Sequence, residues 1–212
     1  MAATQSAPHP PHATWPGEPG DAAKLSAGLK LSDDAREALN ASQRVPEYVD
    51  GLRQRGLTID AIGVVAHWLP RREGVWWACR CVREMLRSPA AKMDLTPLEA
   101  AERWVADPSE TNRRAAGVCA EAASYETPGA VAALAAFWSE GSLAPADAAP
   151  VTVPPHLGPG AVTSAVQLAA VVCEPQKAPD KFTRFLEIGT AVAQGKDRWP
   201  EPAVAPPAIK HR

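Results

Sequence analysis

Apolar positions recur every three or four residues through most of residues 26–199, the spacing that lines one side of an α-helix. The pattern is densest in Thr58–Leu86, TIDAIGVVAHWLPRREGVWWACRCVREML, which reads as two helices joined by a tight turn at Leu69-Pro70. Upstream, Ser32-Asp33-Asp34 can cap a short helix to about Leu39. A second runs from about Pro46 to Gln54, with Val45, Tyr48, Val49 and Leu52 on one side and Gly56 as its stop. Thr58 is expected to cap the helix that follows, with Ile59, Ile62, Val65, Ala66 and Leu69 apolar.

Downstream, Thr96-Pro97-Leu98-Glu99 predicts a capped start for a helix to about Ala106. Ser109 predicts a helix to about Ser124, with a stripe of Ala115, Val118, Cys119 and Ala122 and with Glu110, Arg113, Arg114 and Glu121 turned away. Thr127-Pro128 repeats the start signal for a helix to about Trp138 bearing Val131, Leu134 and Phe137. Two more helices are expected over about 161–172 and 180–194, the second with Phe182, Phe185, Leu186 and Gly189 on one face.

The long helix from about Arg71 to Leu86 has more than one side worth packing. At about 100° per residue, Val75, Ala78, Cys79, Val82, Met85 and Leu86 share a core stripe. Trp76, Arg80, Arg83 and Arg87 share another side, and Trp77, Cys81 and Glu84 lie opposite the core stripe. Such a helix is expected between neighbours rather than at the surface of a simple bundle.

Proline adds the domain limits. Of 22 prolines, five lie at positions 8–19, five at 145–159 and four at 200–207. The expected organisation is a disordered Pro/Ala-rich tail over 1–25, one all-helical domain over 26–199 and a disordered tail over 200–212. Residues 141–160 form a proline-rich connection, either a wrapping loop or a linker. Trp15 is the anomaly of the first tail, and reads as a cap on the domain surface or as an anchor for a partner. The predicted fold is all-α, a single domain of stacked antiparallel helix pairs, HEAT-like or an irregular helical bundle.

The net charge of −2 argues against a whole-surface nucleic-acid binder. No run of eighteen apolar residues is present, so no membrane-spanning helix is expected. The first twenty residues have neither a basic nor an apolar signal region, so a cytoplasmic chain is expected.

Two resemblances follow from quoted stretches. LPRREGVWWACRCVRE and DPSETNRRAAGVCAE each set a proline turn and an arginine pair before a small-residue amphipathic helix. That resembles the second helix of HEAT-like repeats over about residues 58–126, which implies an inward arginine and helix pairs in a stack. The combination HWLPRREGVWWACRCVRE, AAERWVADPSETNRRAA, TPGAVAALAAFWSEGSLAP and KFTRFLEIG, over about residues 58–200, resembles an uncharacterised family of bacterial all-helical proteins. That family is loosely associated with type VI secretion gene neighbourhoods. The resemblance implies a cytosolic accessory protein and brings no catalytic residues.

Candidate chemistry is sparse. Cys79-x-Cys81 places its thiols in different directions on a helix, so a shared metal ion is not expected, and no cofactor is implied. Cys119 and Cys173 also fall in apolar surroundings, which suits reduced, buried thiols. His67 could approach the long helix, but nothing sets it beside Cys81 to activate a nucleophile. Glu73, Glu84, Asp107 and Glu110 fit helix ends or solvated faces better than an acid–base pair.

The aromatic–cationic side is the strongest signal, because Trp and Arg dominate binding hot spots. The expected partner-binding residues are Trp76, Arg80, Arg83 and Arg87, with Trp68, Arg71 and Arg72 at the edge. The competing arrangement is internal, with Trp76 stacked on an arginine and the arginines reaching acids such as Glu99 or Glu102. The function expected is a non-catalytic protein-interaction module: a cytosolic adaptor, chaperone or accessory protein, with a secretion apparatus as the setting the resemblance implies. Its partner would be another protein with an acidic or apolar docking segment. One alternative rests on resemblance to HEAT-like DNA glycosylases, which combine arginines and tryptophans. It lacks the positive charge that phosphate contacts need and has no assignable catalytic carboxylate. A second alternative is an immunity or regulatory protein that binds one partner.

Overall fold

A computed structural model describes residues 17–200 except Ala90 and Ala146. Trp15 and most of the two expected tails lie outside the described residues. The described chain is all-helical: α1 (Asp21–Ser26), α2 (Asp33–Glu37), α3 (Val45–Gln54), α4 (Thr58–Trp68), α5 (Arg71–Met85), α6 (Thr96–Ala106), α7 (Glu110–Ala122), α8 (Pro128–Phe137), α9 (Leu157–Val171) and α10 (Ala178–Ala193), with a 3-10 turn at Pro175–Lys177. Together they form a single helical domain. Helix α1 precedes the expected domain start at residue 26, and its Ala22 is buried.

Several starts follow the local chemistry read above. The hydroxyls of Ser32, Ser109 and Thr127 accept from the N–H groups of Ala35, Asn112 and Ala130. Gly56, at φ 75°, closes α3. Two expected caps differ. Thr58 lies inside the first turn of α4, after Leu57, and caps nothing with its side chain. Before α6 the acceptor is Asp94, whose carboxylate takes both the N–H and the hydroxyl of Thr96. Helix α9 begins at Leu157, four residues before the expected 161, because Pro159 fits within its first turn.

The core is laid around α5 and α9. Helix α5 packs against α6, α8, α9 and α10, and α9 in turn packs against α4 and α8. A linear stack of repeats would limit contacts to sequence neighbours. Here α9 closes onto helices far back in the chain, so the arrangement is an irregular bundle. The α8–α9 and α5–α9 seams are built of small residues, with Ala132, Ala133, Ala136, Ala161, Ala165 and Ala169 at or near full burial.

Two predicted faces are rotated from expectation. On α7 the buried residues are Arg113, Ala116 and Ala120, while Val118 is 66% exposed. The alanines bury because they let neighbouring helices approach closely. Arg113, expected to point away, is 1% exposed. Its guanidinium takes both Glu110 oxygens (2.6 and 2.8 Å) and donates to the carbonyls of Phe137 and Ser142. On α8 the alanines face inward and Val131, Leu134 and Phe137 are only half-buried.

Those arginine contacts also settle how 141–160 runs. Arg113 and Arg114 hold the carbonyls of Ser142 and Ala144, Leu143 donates to Val151, and Val153 is buried. The segment wraps the domain, and α9 and α10 belong to the same core.

Candidate functional site

Helix α5 buries Glu73, Gly74, Val75, Trp77, Ala78, Cys79, Cys81, Val82 and Met85. Both Trp77 and Cys81, expected opposite the core stripe, are fully buried. Trp77 donates its indole N–H to the Phe185 carbonyl of α10 at 2.8 Å. What remains accessible on α5 is Glu84 and the side that carries Trp76, Arg80 and Arg83, with Arg71 and Arg72 at its start and Arg87 just beyond its end.

That side is not vacant. Arg83 forms a two-pronged pair with Glu102 of α6, at 2.8 and 2.7 Å, which holds its guanidinium proton still more firmly than usual. Arg87 reaches Glu84 at 3.2 Å and stays 72% exposed. Arg71 donates to the Ser139 carbonyl. Arg72 donates to the carbonyls of Val105 and Ala106, at 2.6 and 3.1 Å, and so closes the C-terminal end of α6.

The rest of the side is covered from α10 onward. The Asp197 carboxylate accepts from the Trp76 indole N–H at 3.1 Å and from Arg80 Nε at 3.0 Å. The Arg80 guanidinium also lies 5.6 Å from the centre of the Trp76 ring. Trp199 lies beneath the Arg72 guanidinium, 4.1 Å from its ring centre. An aromatic–cationic face has therefore taken a carboxylate and an indole from its own chain. Each such contact at a half-exposed site is worth about 0.5–1 kcal/mol.

Of the two arrangements expected, open or internally paired, the arginines take the second: every arginine named for the docking surface has a partner in the same chain. Trp76 itself stays half-buried. Trp68 belongs to another contact, on α4, where a Cβ on Gly17 would stand 3.1 Å from its ring. Asp197 and Trp199 were not among the expected site residues. Their signal in the sequence is Gly195-Lys196-Asp197-Arg198-Trp199, an acid and an indole two residues apart just after a helix-stopping glycine.

The thiols offer no nucleophile on this face. Burial pushes Cys79 and Cys81 well above the ordinary thiol range. Burial also lowers His67, whose Nδ1 is bonded to the Gly63 carbonyl within α4. Among the described residues no group of three or more His, Cys, Asp or Glu could hold a metal ion. No single described helix is long and apolar enough to cross a membrane.

Away from α5, a concavity of about 600 Å³ opens between α7, α8 and the wrapping loop, with Val118, Tyr125, Leu134, Phe137 and Trp138 in its wall. Tyr125 is 45% exposed.

A family model matches residues 48–193, from α3 to the end of α10. The chain belongs to a family of unknown function, DUF6931. That description names no activity and no partner. The matched span contains Arg72, Trp76, Arg80, Arg83 and Glu102, whereas Asp197 and Trp199 lie beyond it. No curated protein and no solved structure matches the chain.

Proposed function

We propose that this member of DUF6931 is a non-catalytic protein-interaction module, an adaptor, chaperone or accessory protein that receives an acidic or apolar segment on the exposed side of α5. One observation carries the reading: that side already holds a carboxylate and an indole, both supplied by the segment that follows α10. Indole and guanidinium together recognise such groups in hot spots generally. The finer reading, an accessory protein of a type VI secretion apparatus in the cytoplasm, rests on the resemblance over residues 58–200 and gives the first partners to look for. The duplex-binding alternative finds less support, since Arg80 and Arg83 each face a carboxylate and would have to leave it for a phosphate.

The test is capture from the native host by the immobilised full chain, read by mass spectrometry. A specific protein should be retained by the wild type and lost with Trp76→Ala/Arg80→Ala, with helical content by circular dichroism unchanged. Val118→Glu, in the α7–α8 concavity, should leave capture intact. Loss with Val118→Glu alone would move the site to that concavity, and no specific capture would end the reading.

A further inference from the structure

We infer that residues 195–199 are a displaceable strap on α5, and that the partner's docking segment is a short one with a carboxylate and, two residues on, an aromatic ring. This rests on the interaction-module reading and specifies the ligand of that site and its control.

The strap is set apart from the helix before it. Gly195, at φ 68°, ends α10, and the Lys196 N–H turns back to the Ala191 carbonyl. From there exposure alternates: Lys196, Arg198 and Pro200 face out, while Asp197 and Trp199 are half-buried. Lys196 and Asp197 form a bend whose Asp197 N–H also turns back to the Ala191 carbonyl, and the alternation sets Asp197 and Trp199, rather than their neighbours, against α5.

Its attachment to α5 is through side chains. Asp197 meets Trp76 and Arg80, and Trp199 meets Arg72. Arg80 keeps 39% of its side chain in water, so its pair with Asp197 is open to competition. Helix α10 does not depend on the strap, because Phe185, Leu186, Ile188 and Val192 anchor it in the core. Short segments held this way belong to the low-stability end of a structure and open without global unfolding.

The receptors and the occupant also differ in where they stand. Arg72, Trp76 and Arg80 lie inside the span shared with the family, and the strap begins two residues after it ends. The face is thus part of the matched domain, and its occupant is an appendage to it. A tethered occupant acts at a high effective concentration, so a free segment of the same chemistry binds more weakly by the fraction of time the strap is open.

The test uses the full chain, labelled with nitrogen-15, and follows the indole N–H signals of Trp76 and Trp199. The probe is the peptide Gly-Lys-Asp-Arg-Trp-Pro, copying residues 195–200. In the full-length variant Asp197→Asn/Trp199→Ala the Trp76 signal should move toward that of a solvated indole. The peptide should restore it, with an apparent affinity about tenfold or more above that for the wild type. Peptides with Asn for the acid or Ala for the indole should not. A folded variant in which the Trp76 signal stays in place overturns the strap. So does the absence of any shift up to about 5 mM peptide, the range a short tether imposes. If the variant fails to fold, hydrogen exchange in the wild type decides. The Trp76 indole N–H should exchange about a hundredfold faster than the Trp77 indole N–H, and equal protection would refute the strap. A host protein captured equally by wild type and the strap variant, yet lost with Trp76→Ala/Arg80→Ala, would overturn the strap while the module reading stands. Specific peptide binding with no host partner would do the reverse.

Discussion

The indole of Trp77 lies so close to Gly189 that a Cβ on that glycine would stand 2.6 Å from the ring. The ring has no room to retreat. It is fully buried, and its N–H is committed to the Phe185 carbonyl one turn before Gly189 on α10. Gly189→Ala would gain about 1 kcal/mol of helix propensity, yet it forces the ring or α10 to shift. A net loss of about 1–3 kcal/mol is expected, read as a lower urea midpoint. A midpoint at or above that of the wild type would show that α10 can move away from α5 freely.

Arg113 supports a second prediction. Its buried guanidinium joins Glu110 to the carbonyls of Phe137 and Ser142, and so ties α7 to the end of α8 and to the wrapping loop. Arg113→Met keeps the bulk but leaves those acceptors unpaired, which should cost about 3 kcal/mol by denaturant unfolding. Arg113→Lys should recover only part, since an ammonium cannot match the planar fork. Acid titration supplies a check of sign. Hydrogen bonding from Arg113 holds the Glu110 carboxyl below its usual range. Its contribution is therefore present above about pH 4.3 and is lost as pH falls through the depressed value. Half the Glu110 side chain is exposed, so the slope should be shallow, and Glu110→Gln should remove it.

Much of the fold was legible because helix starts and stops are local. Ser109 and Thr127 cap where their side chains predict, and Pro70 divides α4 from α5. The errors share a cause. On α7 and α8 the larger apolar residues suggested the inward face, but the close seams take alanine, Val118 turns outward, and Leu134 and Phe137 are left half-buried. Arg113 reads as solvated because a single helix cannot show that a loop thirty residues on will present carbonyls to it. On the α5 side the sequence offered Glu99 or Glu102 as acids within reach of the arginines, and Arg83 takes Glu102. The occupant of that side was not legible, since Asp197 meets Arg80 across 117 residues and the acid and indole after Gly195 do not say which helix they reach.

The end of α7 makes a third prediction. Ser124 and Tyr125 adopt φ 53° and 60°, a left-handed conformation that favours glycine. The turn persists because the Tyr125 N–H reaches back to the Ala120 carbonyl at 3.1 Å. Ser124→Gly should relieve the cost and raise stability by about 0.5–1 kcal/mol, seen as a higher melting temperature. A fall would mean that the Ser124 side chain, rather than the backbone alone, holds the turn.

The buried thiols give a pH dependence of definite sign. Burial raises Cys79 and Cys81 above the value an unfolded thiol has, about 8.5. Below that pH neither state ionises and the stabilisation is fully present. Above it the unfolded chain sheds protons that the folded chain keeps, so stability falls as pH rises. Between pH 7.5 and 9.5 the loss should be about 1 kcal/mol per thiol, measured as a drop in urea midpoint. Cys79→Ala/Cys81→Ala should flatten that slope even though the two cavities lower stability at every pH. Labelling with a thiol reagent gives a second readout of the same burial. Cys119, half-buried, should react in the folded protein, and Cys79, Cys81 and Cys173 only after denaturant is added. Rapid labelling of Cys81 without denaturant would place α10 off the Trp77 side of α5 for much of the time, and the core described above would have to be redrawn there.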